Sequence, residues 1–287
     1  MARVARITVL ADNSVYGRGL LAEHGLAFWI ELEGRRLLFD TGQGLALLHN
    51  AQHLGVPLEL AEAVVLSHGH YDHAGGVAAV LQAAPQARIY AHPAAFEPKY
   101  GRSGDGTVHD LGMPSACVNA VRERSGAITE TVRPTELLPG LFATGEVPRR
   151  TAYEDTGGPF FADPECQRAD PLADDQALFF NSRGGTVVLL GCAHAGVVNT
   201  LRYVHDLTNG SRIHAVLGGM HLVSASRERM DRTIEDLRRL DVERLGPMHC
   251  TGVSATAGLW SAFPGTCLSC AAGAQLDFEL ERTGGGR

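Results

Sequence analysis

The stretch LSHGHYDHAGG, residues 66–76, is the most informative part of this sequence. It follows an apolar run and brings together four ligand-type side chains: His68, His70, Asp72 and His73. Residues two apart in an extended segment point the same way, so we expect His68 and His70 to share a face, with the other two on the turn beyond. Four such side chains are enough to hold two adjacent cations. The stretch therefore predicts a metal-binding loop between a strand and a helix.

Three glycines favour this interpretation over a histidine-rich surface loop. Gly69, Gly75 and Gly76 have no Cβ and so allow the close backbone packing that a ligand loop requires. Imidazole with one carboxylate suits zinc, iron or manganese. We expect two divalent cations, zinc in the first place and iron or manganese as alternatives.

The composition limits the class of protein. The 287 residues, 45% of them hydrophobic, are enough for a sizeable core. A formal net charge of -7 argues against binding to nucleic acid. No stretch approaches the roughly 20 apolar residues of a membrane span, and the N-terminus lacks the apolar core of a signal peptide. We expect a cytoplasmic protein of one domain, residues 1–287, that acts on a small molecule and has no nucleic-acid or membrane partner. The sequence leaves its oligomeric state open.

The six cysteines include one CxxC pair, Cys267 and Cys270. A structural zinc ribbon would need a second such pair, and none faces it. Buried or incidental thiols are the favoured interpretation, because thiols stay reduced in a cytosol.

Apolar periodicity gives the order of secondary structure. In the first half it predicts strands at residues 5–11, 26–32, 36–40, 63–67 and 87–92 and helices over 44–54 and 76–84. In the second half it predicts a hairpin turning at 183–185, helices over 196–207, 226–240 and 252–262, and strands at 213–219, 243–249 and 274–281. The repeated order of antiparallel strands followed by helix-strand units predicts two mixed sheets packed together with helices outside.

Residues from about 98 to 172 interrupt this order. Their periodicity is weak, and Gly, Pro, Asp and Arg accumulate there. We expect a loop-rich insertion, which is either a lid over the site or a passive loop.

The pattern His-x-His-x-Asp-His after an apolar strand resembles the signature of the metallo-β-lactamase superfamily. The segment LLFDTG, which ends at Gly42, is similar to the strand of that family that carries a supporting aspartate, here Asp40. The resemblance implies an α/β fold of the α+β type, a four-layer αββα sandwich of two mixed sheets.

Blocks from residue 10 to about 252 narrow the resemblance. VVLSHGHYDHAGG, GCAHAGVVNTL, GGMHL and PMHCTG are similar to the branch labelled dihydropterin-ribofuranosylaminobenzene-phosphate synthase. By this similarity His249 takes the last histidine position and serves the second metal beside Asp72 and His73.

Two positions depart from the common pattern of the superfamily. Many members have a histidine where this chain has ADDQ at 173–176, and a bridging aspartate where it has Cys192. We expect His194 to replace one of these ligands. Cys192 is the second alternative, and Asp174 or Asp175 is the third.

Two adjacent cations can activate a bridging water for attack on a carbonyl or phosphoryl centre. We therefore expect a hydrolase of small esters, lactones or phosphoesters, in which Asp72 and His221 handle protons and His24 contacts the substrate. The branch label implies a different use, in which the metals clamp a leaving diphosphate during pterin transfer. A binding or regulatory module without catalysis is the third possibility.

Several other residues are candidates for the surroundings of the site. For a phosphate-bearing substrate we expect Arg149 as the cationic contact, with Arg150, Lys99 and Arg102 as further candidates. His92, at the end of a predicted strand, is a candidate for lining the site.

Overall fold

The computed structural model describes residues 3–124 and 128–281. Its strands are, in chain order, β1 (Val4–Ala11), β2 (Ala27–Leu32), β3 (Arg35–Phe39), β4 (Ala63–Val65), β5 (Arg88–Ala91), β6 (Tyr100–Arg102), β7 (Val108–Asp110), β8 (Ile128–Glu130), β9 (Thr135–Leu138), β10 (Leu141–Ala143), β11 (Phe160–Phe161), β12 (Ala177–Ser182), β13 (Gly185–Leu190), β14 (Ile213–Gly219), β15 (Arg244–Met248) and β16 (Gln275–Glu279). Its helices are α1 (Leu47–Leu54), α2 (Tyr71–Ala74), α3 (Val77–Ala83), α4 (Ser115–Arg122), α5 (Val197–Leu207), α6 (Arg227–Arg239) and α7 (Val253–Ala262).

Two mixed sheets form the body of the fold. The first has the strand order β16-β1-β2-β3-β4-β5-β8, and the second has the order β15-β14-β13-β12-β10-β9. In the first, β1, β2 and β3 are antiparallel and β3, β4 and β5 are parallel. In the second, a β12-β13 hairpin leads into parallel β14 and β15. The predicted meander, hairpin and helix-strand units are confirmed.

Three hydrophobic clusters separate four layers. The central cluster joins the inner faces of the two sheets and includes Phe28 and Leu189. One outer cluster packs α1, α3 and α4 on the first sheet, and the other packs α5, α6 and α7 on the second. Strand β2 is buried on both faces because a hydrophobic cluster lies on each side of it. Its side chains alternate, so Phe28 belongs to the central cluster and Trp29 to the outer one. This is the αββα sandwich that the sequence predicted.

Residues 98–172 differ from the predicted loop-rich insertion. Within them β8 pairs with β5 in the first sheet, and β9 and β10 extend the second sheet beside β12. Strands β6, β7 and β11 form a separate three-stranded sheet. The expectation of one long insertion is therefore wrong in its middle part. These strands have two to four residues each, too few to display a clear period.

The ends of the predicted domain of residues 1–287, and residues 125–127 of the predicted insertion, lie outside the described residues. Among the described helices, none has the length and apolar content needed to cross a membrane.

Candidate metal centre

The first ligand loop follows β4. The buried rings of His68 and His70 converge there, with Nε2 of His68 3.0 Å from Nδ1 of His70. Gly69 between them packs so closely that an added Cβ would lie 2.0 Å from the carbonyl oxygen of Ala95. The loop therefore requires glycine here, as the sequence predicted.

A buried carboxylate at the end of β3 supports this loop. Oδ1 of Asp40 accepts a hydrogen bond from the Ser67 amide, and Oδ2 accepts one from the Ser67 hydroxyl, both at 2.7 Å. Nδ1 of His73 lies 2.7 Å from the same Oδ2. Asp40 thus fixes the His73 ring so that Nε2 is the nitrogen left to face the site.

Residues from the second half of the chain meet His73. Its Nε2 lies 3.2 Å from Nε2 of His249 and 3.1 Å from Sγ of Cys192. Oδ2 of Asp72 lies 3.3 Å from Nε2 of His249 and 3.2 Å from Nε2 of His24. These contacts join five donor side chains into one cluster, in two groups that share His249.

His194 joins the cluster from the loop after β13. Its Nδ1 donates to the carbonyl oxygen of Thr156 at 2.8 Å, so Nε2 is free to act as a ligand. Its ring centroid is 4.8 Å from that of His68, 5.0 Å from that of His70 and 4.2 Å from that of His221. His194, which the sequence predicted as a ligand, therefore lies within the donor cluster.

The donor atoms fall into four overlapping groups that can each hold a metal ion: His68-Cys192-His194, His73-Cys192-His249, Cys192-His221-Cys250 and His24-Asp72-His249. Several buried nitrogens have no hydrogen-bond partner: Nε2 of His70, Nε2 of His194 and Nδ1 of His221. Buried polar atoms in proteins are almost always paired, so these nitrogens indicate a missing partner. A cation would supply it.

Burial keeps three of the imidazoles neutral. It lowers the pKa of His68 and of His194 well below the ordinary value, and that of His70 to about 3. Neutral imidazole is the form that binds a metal. Burial acts in the same direction on His73, but Asp40 and Asp72 outweigh it and raise its pKa.

Three site residues have left-handed backbone conformations that side chains other than glycine rarely adopt. Asp40 has φ 60°, His221 has φ 44° and His249 has φ 46°. Such strain is typical of functional sites, where the surrounding structure holds it in place.

Asp174 and Asp175, the third alternative for the first metal, lie outside the four donor groups, as does His70. Oδ2 of Asp174 accepts the amide of Gly69, and Oδ2 of Asp175 accepts the amide of Ala195, each at 2.8 Å. The two carboxylates therefore anchor the loops that carry His68 and His194.

The basic residues also differ from expectation. Arg149 donates to the carbonyl oxygens of His194 and Pro171, at 2.7 and 2.6 Å, and so holds the loop that carries His194. Lys99 is buried, with Nζ 3.0 Å from Oδ1 of Asp174.

Arg150 pairs with exposed Asp206, and Arg102 covers the ring of Phe161. None of the four expected cations is among the described residues that line the cavity at the cluster. In the described structure, Arg149 and Lys99 hold loops in place. Arg150 and Arg102 make surface contacts.

His92 has a structural role. Nδ1 of His92 accepts the amide of Ala94 and caps a short 3-10 turn. Cys267 and Cys270 belong to none of the donor groups found among the described residues. All six cysteines lie within those residues and are free thiols, as the sequence predicted.

A cavity of about 400 Å³ opens onto the cluster. Its lining includes six residues that the sequence analysis named as candidate site residues: His24, His70, Asp72, Cys192, His221 and His249. It also includes residues that sequence reasoning missed: Asn13, Tyr71, Phe160 and Cys250. Cys250 follows a predicted ligand directly, and that adjacency was the one available signal. Phe160 belongs to the segment interpreted as an insertion.

Residues 21–249 match the family model of the metallo-beta-lactamase superfamily. The chain belongs to this superfamily. Members of the superfamily are mostly enzymes, and the donor cluster agrees with that membership.

Several relatives match most of the chain. The 7,8-dihydropterin-6-methyl-4-(beta-D-ribofuranosyl)-aminobenzene-5'-phosphate synthase of Methanocaldococcus jannaschii is 27% identical over 86% of this chain and 87% of its own. An uncharacterized protein of the same organism is 31% identical over 88% of this chain and 93% of its own. Among solved structures, Tm1679, described as a metal-dependent hydrolase of the beta-lactamase superfamily, is 32% identical with a TM-score of 0.78, over 95% of this chain and 98% of its own.

Proposed function

We propose that this superfamily member is a binuclear metal-dependent hydrolase of a small ester, lactone or phosphoester. One observation carries the proposal: a buried set of convergent nitrogen, sulfur and carboxylate donors forms the floor of an open cavity. The similarity to Tm1679, a metal-dependent hydrolase by its description, supports the reaction class.

The donor set divides between two cations, with zinc as the expected metal and iron or manganese as alternatives. His68, His70 and His194 would hold the first, and Asp72, His73 and His249 the second. The sulfur of Cys192 belongs to one donor group with His68 and His194 and to another with His73 and His249, so it could serve either cation. Two bound cations would supply Lewis-acid activation of water and stabilisation of developing negative charge.

The remaining side chains handle protons and substrate. Asp72 lines the cavity and lies 3.2 Å from Nε2 of His24, so the pair can pass a proton between the site and solvent. His221 also lines the cavity, beside His194, and can protonate a leaving group. The side chain of His24 is more exposed than that of Asp72 and would contact the substrate.

A pterin-transferring synthase is the second candidate, favoured by the similarity to the methanogen synthase over most of both chains. A diphosphate substrate would call for cationic contacts in addition to the metals. The described lining of the cavity contains neither lysine nor arginine, which suits an uncharged ester or lactone better.

The test compares hydrolysis by chelator-treated and zinc-reloaded protein. The substrates are 4-nitrophenyl acetate, N-hexanoyl homoserine lactone and bis(4-nitrophenyl) phosphate. We expect one class to be hydrolysed only after reloading, with activity lost in His68→Ala and kept in His205→Ala, an exposed histidine on α5. A reloaded protein that binds metal but hydrolyses none of the three would favour the synthase. A protein that takes up no metal would favour a non-catalytic binding module.

A further inference from the structure

A second and larger cavity adjoins the metal centre. It has a volume of about 600 Å³ and shares four wall residues with the first: Asn13, His249, Gly252 and Val253. Small-molecule sites in proteins span roughly 300–1,000 Å³. We call this second cavity the outer chamber. Because His249 belongs to both walls, a molecule in the outer chamber would lie beside the donor cluster.

The outer chamber is aromatic and apolar at its entrance. Tyr16 and Trp260 are among the exposed large side chains of the described structure, and both line the chamber. Val253 is 89% exposed at the junction of the two cavities. A contiguous exposed apolar patch marks a binding surface, whereas apolar side chains exposed singly are common.

The polar groups of the chamber are already paired or neutral. Oδ1 of Asp12 accepts the His249 amide at 2.9 Å, and Oδ2 accepts the amide and hydroxyl of Ser14 at 3.1 and 2.7 Å. The Ser269 hydroxyl donates to the Tyr16 hydroxyl at 3.0 Å. Burial raises the pKa of the Cys270 thiol to about 12, so it carries no charge. Among the described lining residues there is neither lysine nor arginine.

We propose that the outer chamber binds a planar, uncharged aromatic part of the substrate, while the reacting group lies in the metal cavity. The placement of the reacting group rests on the proposed function, whereas the aromatic ligand of the outer chamber does not depend on it. Trp260 and Tyr16 supply flat faces on which an aromatic ring can stack. Because the described lining residues include neither lysine nor arginine, the chamber offers no side-chain cation of that kind to a phosphate group.

The experiment measures binding by isothermal titration calorimetry, with 2-naphthol as the probe and decahydro-2-naphthol as a saturated control with the same carbon skeleton. Ala257→Phe fills the chamber from an exposed position on α7, and Trp260→Ala removes a stacking face. Ser254→Phe adds the same side chain at an exposed position of the same helix that is not part of the lining, and serves as the matched control.

We expect 2-naphthol to bind several-fold more tightly than its saturated analogue, and to lose about tenfold in affinity in Ala257→Phe and in Trp260→Ala. Ser254→Phe should bind like the native chain. Equal affinity for both ligands, or equal affinity in the native chain and Ala257→Phe, would overturn the proposal. So would a change of oligomeric state in Ala257→Phe measured by light scattering, because the chamber would then be a subunit interface.

Metal content and hydrolysis of 4-nitrophenyl acetate are measured on the same samples. If 2-naphthol binds as expected but the protein holds no metal, the proposal for the outer chamber is supported and the hydrolase proposal fails. If the metals and hydrolysis are present but 2-naphthol does not bind, the chamber proposal alone fails.

Discussion

Nδ1 of His73 lies 2.7 Å from Oδ2 of Asp40, and neither side chain is accessible to solvent. The same carboxylate accepts two hydrogen bonds from Ser67, so it links the strand before the ligand loop to a ligand inside it. Asp40 therefore fixes both the tautomer and the orientation of His73.

Replacement of this carboxylate should weaken metal binding without removing a ligand. We expect Asp40→Asn to lower metal affinity by about 10- to 100-fold, measured by competition with a chelator. Asp277→Asn, at an exposed carboxylate paired with Arg6, is the control and should leave affinity unchanged. An unaltered affinity in Asp40→Asn would mean that His73 is not held for a metal.

Lys99 makes the buried ion pair that stabilises the ligand loop, with Nζ 3.0 Å from Asp174 and 3.2 Å from Asp170. Lys99→Met leaves the buried carboxylate of Asp174 without its cation, and we expect the free energy of unfolding to fall by about 3–5 kcal/mol. Arg150→Met removes an exposed pair with Asp206 and should cost about 1 kcal/mol or less. Urea denaturation of metal-free protein measures both. Equal losses in the two variants would contradict the role of Lys99.

Asp175 makes stability depend on pH. Burial raises its pKa to about 6, whereas in the unfolded chain a carboxyl group of this kind titrates near roughly 3.9. Between these values the folded state binds more protons, so this group's contribution is full below about pH 3.9 and is lost as pH rises through about 6.

Asp175→Asn should therefore gain stability relative to the native chain as pH rises from about 4 to 7, by roughly 2–3 kcal/mol in metal-free protein. Asp231→Asn, at an exposed carboxylate on α6, is the control. A difference between Asp175→Asn and the native chain that stays constant with pH would show that Asp175 titrates normally.

Cys192 should lose a proton when metal binds. Burial raises the pKa of its thiol, so metal-free protein holds the protonated form at neutral pH. A metal-bound sulfur is a thiolate, so zinc binding should release about one proton more from the native chain than from Cys192→Ser. Calorimetry in buffers of different ionisation enthalpy measures this, with Cys166→Ser as the control. Equal proton release from both would exclude Cys192 as a ligand.

The fold and the convergence of the candidate ligands were predictable because they depend on local patterns. His68 and His70 follow an apolar strand, and Cys192, His194 and His249 follow others, so strand ends alone brought them to one edge. Strands β8, β9 and β10 were missed because three or four residues are too few to show alternation against a Gly- and Pro-rich background.

The surroundings of the site depend on contacts between distant residues. Lys99 is buried only because Asp174, 75 residues further along, meets it, and Arg149 is held by carbonyl groups that no sequence pattern reveals. The outer chamber likewise arises where the segment after β1 meets α7. Charge and spacing therefore predicted which residues could act, but not which way they face.

Metal content by plasma mass spectrometry, on protein purified without chelators, tests the central claim most directly. We expect close to two metal ions per chain in the native protein and in His205→Ala, with clearly fewer in His68→Ala and in His194→Ala. A native protein that carries no metal and takes up none on reloading would contradict the account.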